Sequence, residues 1–418
     1  MKVKGRTMSA VSASSLPPAL ERRLKYAGPA LLSYGFRPFF LGAAIWSVAS
    51  IVLWIPQFTG IFALPTAYPP LDWHVHEMLY GYVAAVIAGF LLTAIPKWTG
   101  RMPLQGGPLA ALVLLWVIGR LGVLLSGEIG APAAAVADLS FPAVFLAVVA
   151  REILAGKNWR NLPMLGALSL LLLGNLFVHL GALDLADTGE LGNRIGLVTL
   201  LMLISLVGGR IVPSFTRNWL TKARPEVAPP VAAGRFDLAA LVMTGLALLI
   251  WTIAPDAAPT PWAALAAGIA VALRLSRWRG LHTVPEPLLL ILHVGYGWLS
   301  LGLLLLGFNR FTDMLPATAA LHALTVGAVG TMTLAVMTRA SLGHAGGPLS
   351  AGPVTKAIYG LITVAALLRI LSPLAGNRVA LSLWLAGASW SCAFGLFAVF
   401  YGLVLVRPRV RDEIARPI

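Results

Sequence analysis

Residues 75–96 read VHEMLYGYVAAVIAGFLLTAIP. His76 and Glu77 stand at the start, and no further Asp, Glu, Lys or Arg occurs until Lys97. A helix rises about 1.5 Å per residue, so a run of this length crosses the hydrocarbon layer, which takes about 20 apolar residues. Backbone groups in lipid must be paired within the segment, so the run is expected to be a membrane helix. Eleven further apolar runs are long enough to span. They lie near residues 36–56, 108–126, 131–151, 162–184, 192–213, 236–254, 259–276, 286–307, 314–338, 354–375 and 379–405. The expected fold is therefore an all-α membrane protein with twelve transmembrane helices, forming a single domain over residues 34–406. Tails of residues 1–33 and 407–418 flank it.

The composition agrees. Of the 418 residues only 11% are charged and 58% are hydrophobic, against about 25% charged in soluble proteins. That excludes an ordinary soluble protein, and the hydrophobicity excludes a disordered one. The longest hydrophilic stretch between apolar runs, residues 214–235, is too short for a soluble catalytic domain. The single cysteine, Cys392, lies in an apolar run. This excludes an intrachain disulfide, a cysteine-ligated iron–sulfur cluster and covalent haem attachment. Residues 1–33 are polar and basic with no apolar core ahead of a cleavage site, so no cleaved signal peptide is expected.

Sorting the basic residues by span gives an orientation. Of the 31 Lys and Arg, 26 fall on the side of the termini and only Arg194, Arg310 and Arg378 on the other. The positive-inside rule then puts both termini in the cytoplasm of a multi-pass protein. The net charge of +15 reads as topology plus contact with anionic membrane lipids. The basic residues are spread over seven segments without a nucleic-acid motif, so no nucleic-acid partner is expected.

Ionisable groups inside a bilayer are costly and need a reason. His74, His76 and Glu77 open span 2, Arg120 and Asp138 lie in the outer parts of spans 3 and 4, and His179 ends span 5. His322 and Arg369 lie in the outer parts of spans 10 and 11. His293 sits toward the inner end of span 9, and His282 and His344 fall in inner loops. Four histidines and two arginines at one level point to a metal or haem site, because histidine ligates both and arginine suits haem propionates. The bland alternatives are solvated interfacial side chains and a structural Arg120–Asp138 ion pair. Residues two apart on a helix point about 200° apart, so His74 and His76 cannot face one metal from a regular helix, whereas His76 and Tyr80 share a face. Either His74 lies on the loop before the helix or the two histidines serve different sites, haem on one and copper on the other, which is the sterically natural reading.

Spans 2, 6 and 10, four apart, run in the same direction and end in related segments: TAIPKWTGR at 93–101, GGRIVPSFTR at 208–217 and VMTRASLGH at 336–344. Spans 2 and 10 also share a histidine followed by glycine five residues on, His76/Gly81 and His322/Gly327. Three four-helix units with pseudo-threefold order would explain this.

Five segments carry a resemblance that covers the chain from residue 35 onward: GFRPFFLG at 35–42, LDWHVHEMLYGY at 71–82, AGFLLTAIPKWTG at 88–100, GGRIVPSFT at 208–216 and GTMTLAVMTRASLGH at 330–344. Together they resemble the NnrS family of bacterial membrane proteins. The resemblance implies a polytopic inner-membrane protein that binds haem and copper, associated with denitrification and nitric oxide stress. Lys97, where that family often has Asn, and the ending at His344 depart from the pattern. A more distant likeness is to the catalytic subunit of haem–copper oxidases, with twelve spans and a haem held by histidines on spans 2 and 10. Span 6 lacks that subunit's His-x-x-x-Tyr and no His-His pair follows, so oxygen reduction with proton pumping is not expected.

The expectation is a non-covalent haem near the outer leaflet, ligated by His76 and His322, with Arg120 and Arg369 as propionate partners. Copper would involve His74 and His179, and Glu77 would orient an imidazole through its other ring nitrogen. Nitric oxide or a related small ligand and a redox partner would complete the set; redox catalysis on nitric oxide is one outcome, and sensing or scavenging are others. The rival reading is a twelve-span secondary transporter with buried Arg, Asp and His along a substrate path. A third is a structural or assembly role, which the glycines would serve and the histidines would not.

Overall fold

The computed structural model describes residues 26–312 and 316–408. Most of the expected tails, 1–25 and 409–418, therefore lie outside the described residues. Among those described there is no strand. Seven helices long and apolar enough to cross a membrane come first: α1 (Phe36–Phe58), α2 (Pro70–Thr99), α3 (Gly107–Leu124), α4 (Ala131–Ala155), α5 (Trp159–Ala182), α6 (Gly189–Ala223) and α7 (Arg235–Ile253). The helix α8 (Pro259–Ser276), equal in length to α3, carries a buried arginine, Arg274, in its last turn. Three more membrane-length stretches follow: α9 (Pro287–Phe311), α10 (Ala317–His344) and Pro353–Val406. The last turns at Gly376 (φ 54°, ψ −124°), a backbone conformation open to glycine and strained for other residues. It divides into α11 (Pro353–Leu371) and α12 (379–406). The chain is an all-α, multi-pass membrane protein.

The outward faces confirm the environment. On α7, Leu238, Val242, Leu246, Leu249 and Ile253 are all exposed. Their spacing of three or four residues makes one continuous stripe, which only lipid would cover without cost.

Three helices overrun their apolar cores. α6 continues to Ala223, so half of the hydrophilic stretch 214–235 is helical; α2 passes through Pro96 to Thr99. α10 reaches the level of His344, which therefore lies in a last helical turn and not in a loop. Hydropathy falls at the membrane edge, but backbone pairing does not stop there. Val212, Thr216 and Leu220 bury one face of α6 at four-residue spacing and keep the helix going.

Arg37, one of the basic residues counted on the side of the termini, is buried in the first turn of α1. It donates to the carbonyl oxygens of Leu405 (2.8 Å) and Arg407 (2.6 Å) at the end of α12. A guanidinium there satisfies carbonyls that the helix leaves unpaired. This contact and the packing of α1 on α12 bring the first and last membrane helices together.

At the centre α2, α6 and α10 meet one another. The Tyr82 and Thr333 hydroxyls, 2.5 Å apart, join α2 to α10. Each of the three contains a π-helical segment: Glu77–Val83, Ile204–Gly208 and Ala323–Gly330. In α2 and α10 that segment starts at the residue after the histidine, His76 and His322. A further π-segment, Phe397–Tyr401, lies in α12, so these segments are not confined to the helices four apart; π-turns are frequent at functional sites.

Candidate metal centre

The π-segment of α2 sets the geometry. Its wider turn leaves carbonyls without regular partners; Trp116 on α3 donates its indole N–H to the Gly81 carbonyl at 2.9 Å. Gly81 also makes room: a Cβ there would stand 2.6 Å from Arg120 Nη1 and 2.7 Å from Glu77 Oε2. Gly119, one residue before Arg120, likewise lets α3 approach Asp138 on α4.

Into this space converge six polar side chains, each at most 2% exposed: His76, Glu77, Arg120, Asp138, Asn175 and His179. Arg120 Nη1 donates to both Glu77 oxygens at 2.8 and 2.7 Å, and its Nη2 donates to Asp138 Oδ1. Trp46 on α1 donates to Glu77 Oε2 at 2.6 Å. The other Asp138 oxygen, Oδ2, accepts from Asn175 Nδ2 at 2.7 Å and from His179 Nε2 at 2.9 Å, and lies 3.2 Å from His76 Nε2. His179 Nδ1 accepts from the Tyr68 hydroxyl at 2.7 Å. Burial, and then the Glu77 carboxylate, push the Tyr68 phenol above its ordinary range against the opposing pull of Arg120, so it stays protonated.

His76 is surrounded by acceptors. Its Nδ1 faces Glu77 Oε1 at 3.0 Å and its Nε2 faces Asn175 Oδ1 at 2.9 Å as well as Asp138. Such a ring is matched by two N–H groups, or by one N–H and a cation. The charges say the same. Two carboxylates against one guanidinium leave one negative charge, which a low-dielectric interior must balance with a cation or a proton. One donor atom each from His76, Asp138 and His179 lies within 4.8 Å of the others. This is a place able to take a metal ion.

The second group is separate. His74 turns away from His76, as helical spacing requires, and stacks on Trp54 with 3.9 Å between ring centroids. Its Nδ1 is buried without a hydrogen-bond partner. His322 and Arg369 lie within electrostatic reach of it. Arg369 Nη2 donates to His322 Nε2 at 3.1 Å, and His322 Nδ1 donates to the Thr318 carbonyl at 2.6 Å. Among the described residues no carboxylate pairs with Arg369, in contrast to Arg120.

The expected site residues therefore fall into two sets. His76, Glu77, Arg120 and His179 share the first, and His74, His322 and Arg369 the second. His76 and His322 make no contact with each other among the described residues, and neither do His74 and His179. Asp138 joins the first set as more than a partner for Arg120. Asn175, Tyr68 and Trp46 were not singled out by sequence; Asn175 had a signal, standing four residues before His179 on the same helical face. His293 lies apart, its Nε2 donating to Thr216 at 2.9 Å.

Comparison with known proteins adds one match. The family model described as NnrS protein matches residues 30–409. No curated protein matches the chain.

Proposed function

Because the chain belongs to the NnrS family, we propose that it is a haem- and copper-binding protein of the nitric oxide response in the bacterial inner membrane. Its termini are cytoplasmic and its two sites lie in the outer half of the bilayer. The observation that carries this reading is the convergence of His76, Asp138 and His179 from α2, α4 and α5.

Copper fits the first set. Imidazole and carboxylate donors suit copper, and the His76–Asp138 and Asp138–His179 separations of 3.2 and 2.9 Å place these atoms close enough to share one ion. Asn175 Oδ1 offers a fourth donor. The remaining ring nitrogens are held by Glu77 and Tyr68, the outer support that metal-ligating histidines need. Arg120 holds Glu77 and the far oxygen of Asp138, fixing both carboxylates, and a bound metal would take the place of the hydrogen bonds that now join Asp138 Oδ2 to His179 and His76 to Asn175. Copper bound here would supply a one-electron redox centre or a binding position for nitric oxide.

Haem is better served by the second set. His74 has an orphaned buried nitrogen, His322 comes from the helix across from it, and Arg369 is a cation with no carboxylate of its own, suited to a propionate. His74, rather than His76, is then the partner of His322. A haem held by His74 and His322 would supply electron transfer to a redox partner. The 26-to-3 distribution of basic residues supports the outer placement. Transport of a polar solute finds less support, because the buried charges of α2–α5 are bound to one another.

Haem and metal analysis of purified protein tests the reading. His179→Ala and Asp138→Asn are expected to lose copper and keep the Soret band, and His74→Ala and His322→Ala to lose the Soret band and keep copper. A colourless, copper-free wild type, or metal contents that none of the four changes, would sink it.

A further inference from the structure

Where α2, α5, α6 and α10 meet there is an apolar cavity of about 110 Å³ that opens on one side toward the surface of the bundle and is lined without polar surface by residues that include Val83, Leu168, Leu200, Val207, Val329 and Met332. Protein interiors rarely leave voids larger than a water molecule. This one has a structural cause, since all three central π-segments reach it: Val83 from the first, Ile204, Val207 and Gly208 from the second, and Val329 from the third. Its position is also specific. Val83 lies seven residues beyond His76 on α2, and Leu168 seven residues before Asn175 on α5. At 1.5 Å per residue the cavity sits about 10 Å below the first polar set. Tyr80 occupies the level between, with its ring 5.6 Å from His76 and its hydroxyl donating to the Gly192 carbonyl at 2.7 Å.

We propose that this cavity is a binding site for a small, uncharged, apolar molecule of diatomic-gas size, taken up from the lipid phase and held beneath the metal centre. The identity of that molecule as nitric oxide rests on the function proposed above; the site itself does not. An apolar cavity of about 150 Å³ stays dry and takes up xenon or benzene, so the volume suits a gas. The Thr333 hydroxyl at its wall is already engaged by Tyr82 and Val329, so no polar surface is offered to ions or polar solutes, and the volume is too small for a whole acyl chain.

Xenon is the probe, applied to full-length protein reconstituted in lipid nanodiscs. Wild type is expected to bind xenon saturably. Ala167→Phe and Val207→Phe, which fill the cavity from α5 and α6, are expected to abolish that binding, and Leu200→Ala, which enlarges it, to retain it. Thermal transitions check that the filled variants are folded; where one is not, the position of xenon in pressurised wild-type crystals decides. A wild type without a saturable site, xenon bound elsewhere and unaffected by the filling substitutions, or a lipid chain resident in the cavity would overturn the proposal. Copper content is read on the same samples. Xenon binding by a protein that takes no copper leaves the cavity site standing and removes the metal centre, and the converse result separates the two the other way.

Discussion

Nη1 of Arg120 sits 2.8 and 2.7 Å from the two carboxylate oxygens of Glu77, and both side chains are buried. Removing one partner of such a pair leaves an uncompensated charge, which costs about 3–5 kcal/mol. Here Arg120 also holds Asp138, so its loss strands two carboxylates. Arg120→Leu is expected to destabilise the protein by at least that amount, read as a lowered thermal transition in detergent. Gly81→Ala, whose added methyl would displace the same pair, is expected to act in the same direction.

The Tyr68 hydroxyl supports His179 from outside the spans. Losing a support of this kind costs about 10–100-fold in metal affinity. Tyr68→Phe is therefore expected to bind copper more weakly by that factor and to keep its fold. Competition against a chelator of known affinity measures it; an unchanged affinity would remove Tyr68 from the site.

Arg369→Leu separates the two sets. It is expected to weaken haem retention, seen as a smaller Soret absorbance after detergent washing, with copper content unchanged. Loss of copper in this variant would mean that the two sets act as one.

The hydroxyl contact between Tyr82 and Thr333 joins α2 to α10. Thr333 also bonds its own helix at Val329, so Tyr82→Phe leaves no hydroxyl stranded. The expected loss is about 1 kcal/mol, detectable as a small shift in the unfolding midpoint. A larger loss would show that this contact sets the position of the two π-segments.

Much of this was legible in the sequence, for physical reasons that also mark its limits. Apolar runs gave the helices because lipid enforces one pairing pattern along each run. The opposed directions of His74 and His76 followed from helical spacing alone. The grouping of His322 with His74 and Arg369, and of His76 with His179, depends on how α2 is rotated against α5 and α10, which no single helix encodes. The π-segments after His76 and His322 were not expected from hydropathy, which does not distinguish them from regular helix. Asp138 was visible as a buried charge, but its second oxygen became a candidate ligand only once α4 and α5 were packed together. The overrun of α6 was hidden because an amphipathic turn at the membrane edge reads as a loop by hydropathy.

The Arg37 clamp has a consequence for biogenesis. Its two carbonyl acceptors belong to residues 405 and 407, which leave the ribosome last among the membrane helices, whereas Arg37 enters with the first. Throughout insertion α1 must hold this cation without those acceptors, and the bundle cannot lock until α12 arrives. Chains truncated before residue 405 should remain open at the α1 edge and be recognised by membrane quality-control proteases, even with both ligand sets already synthesised.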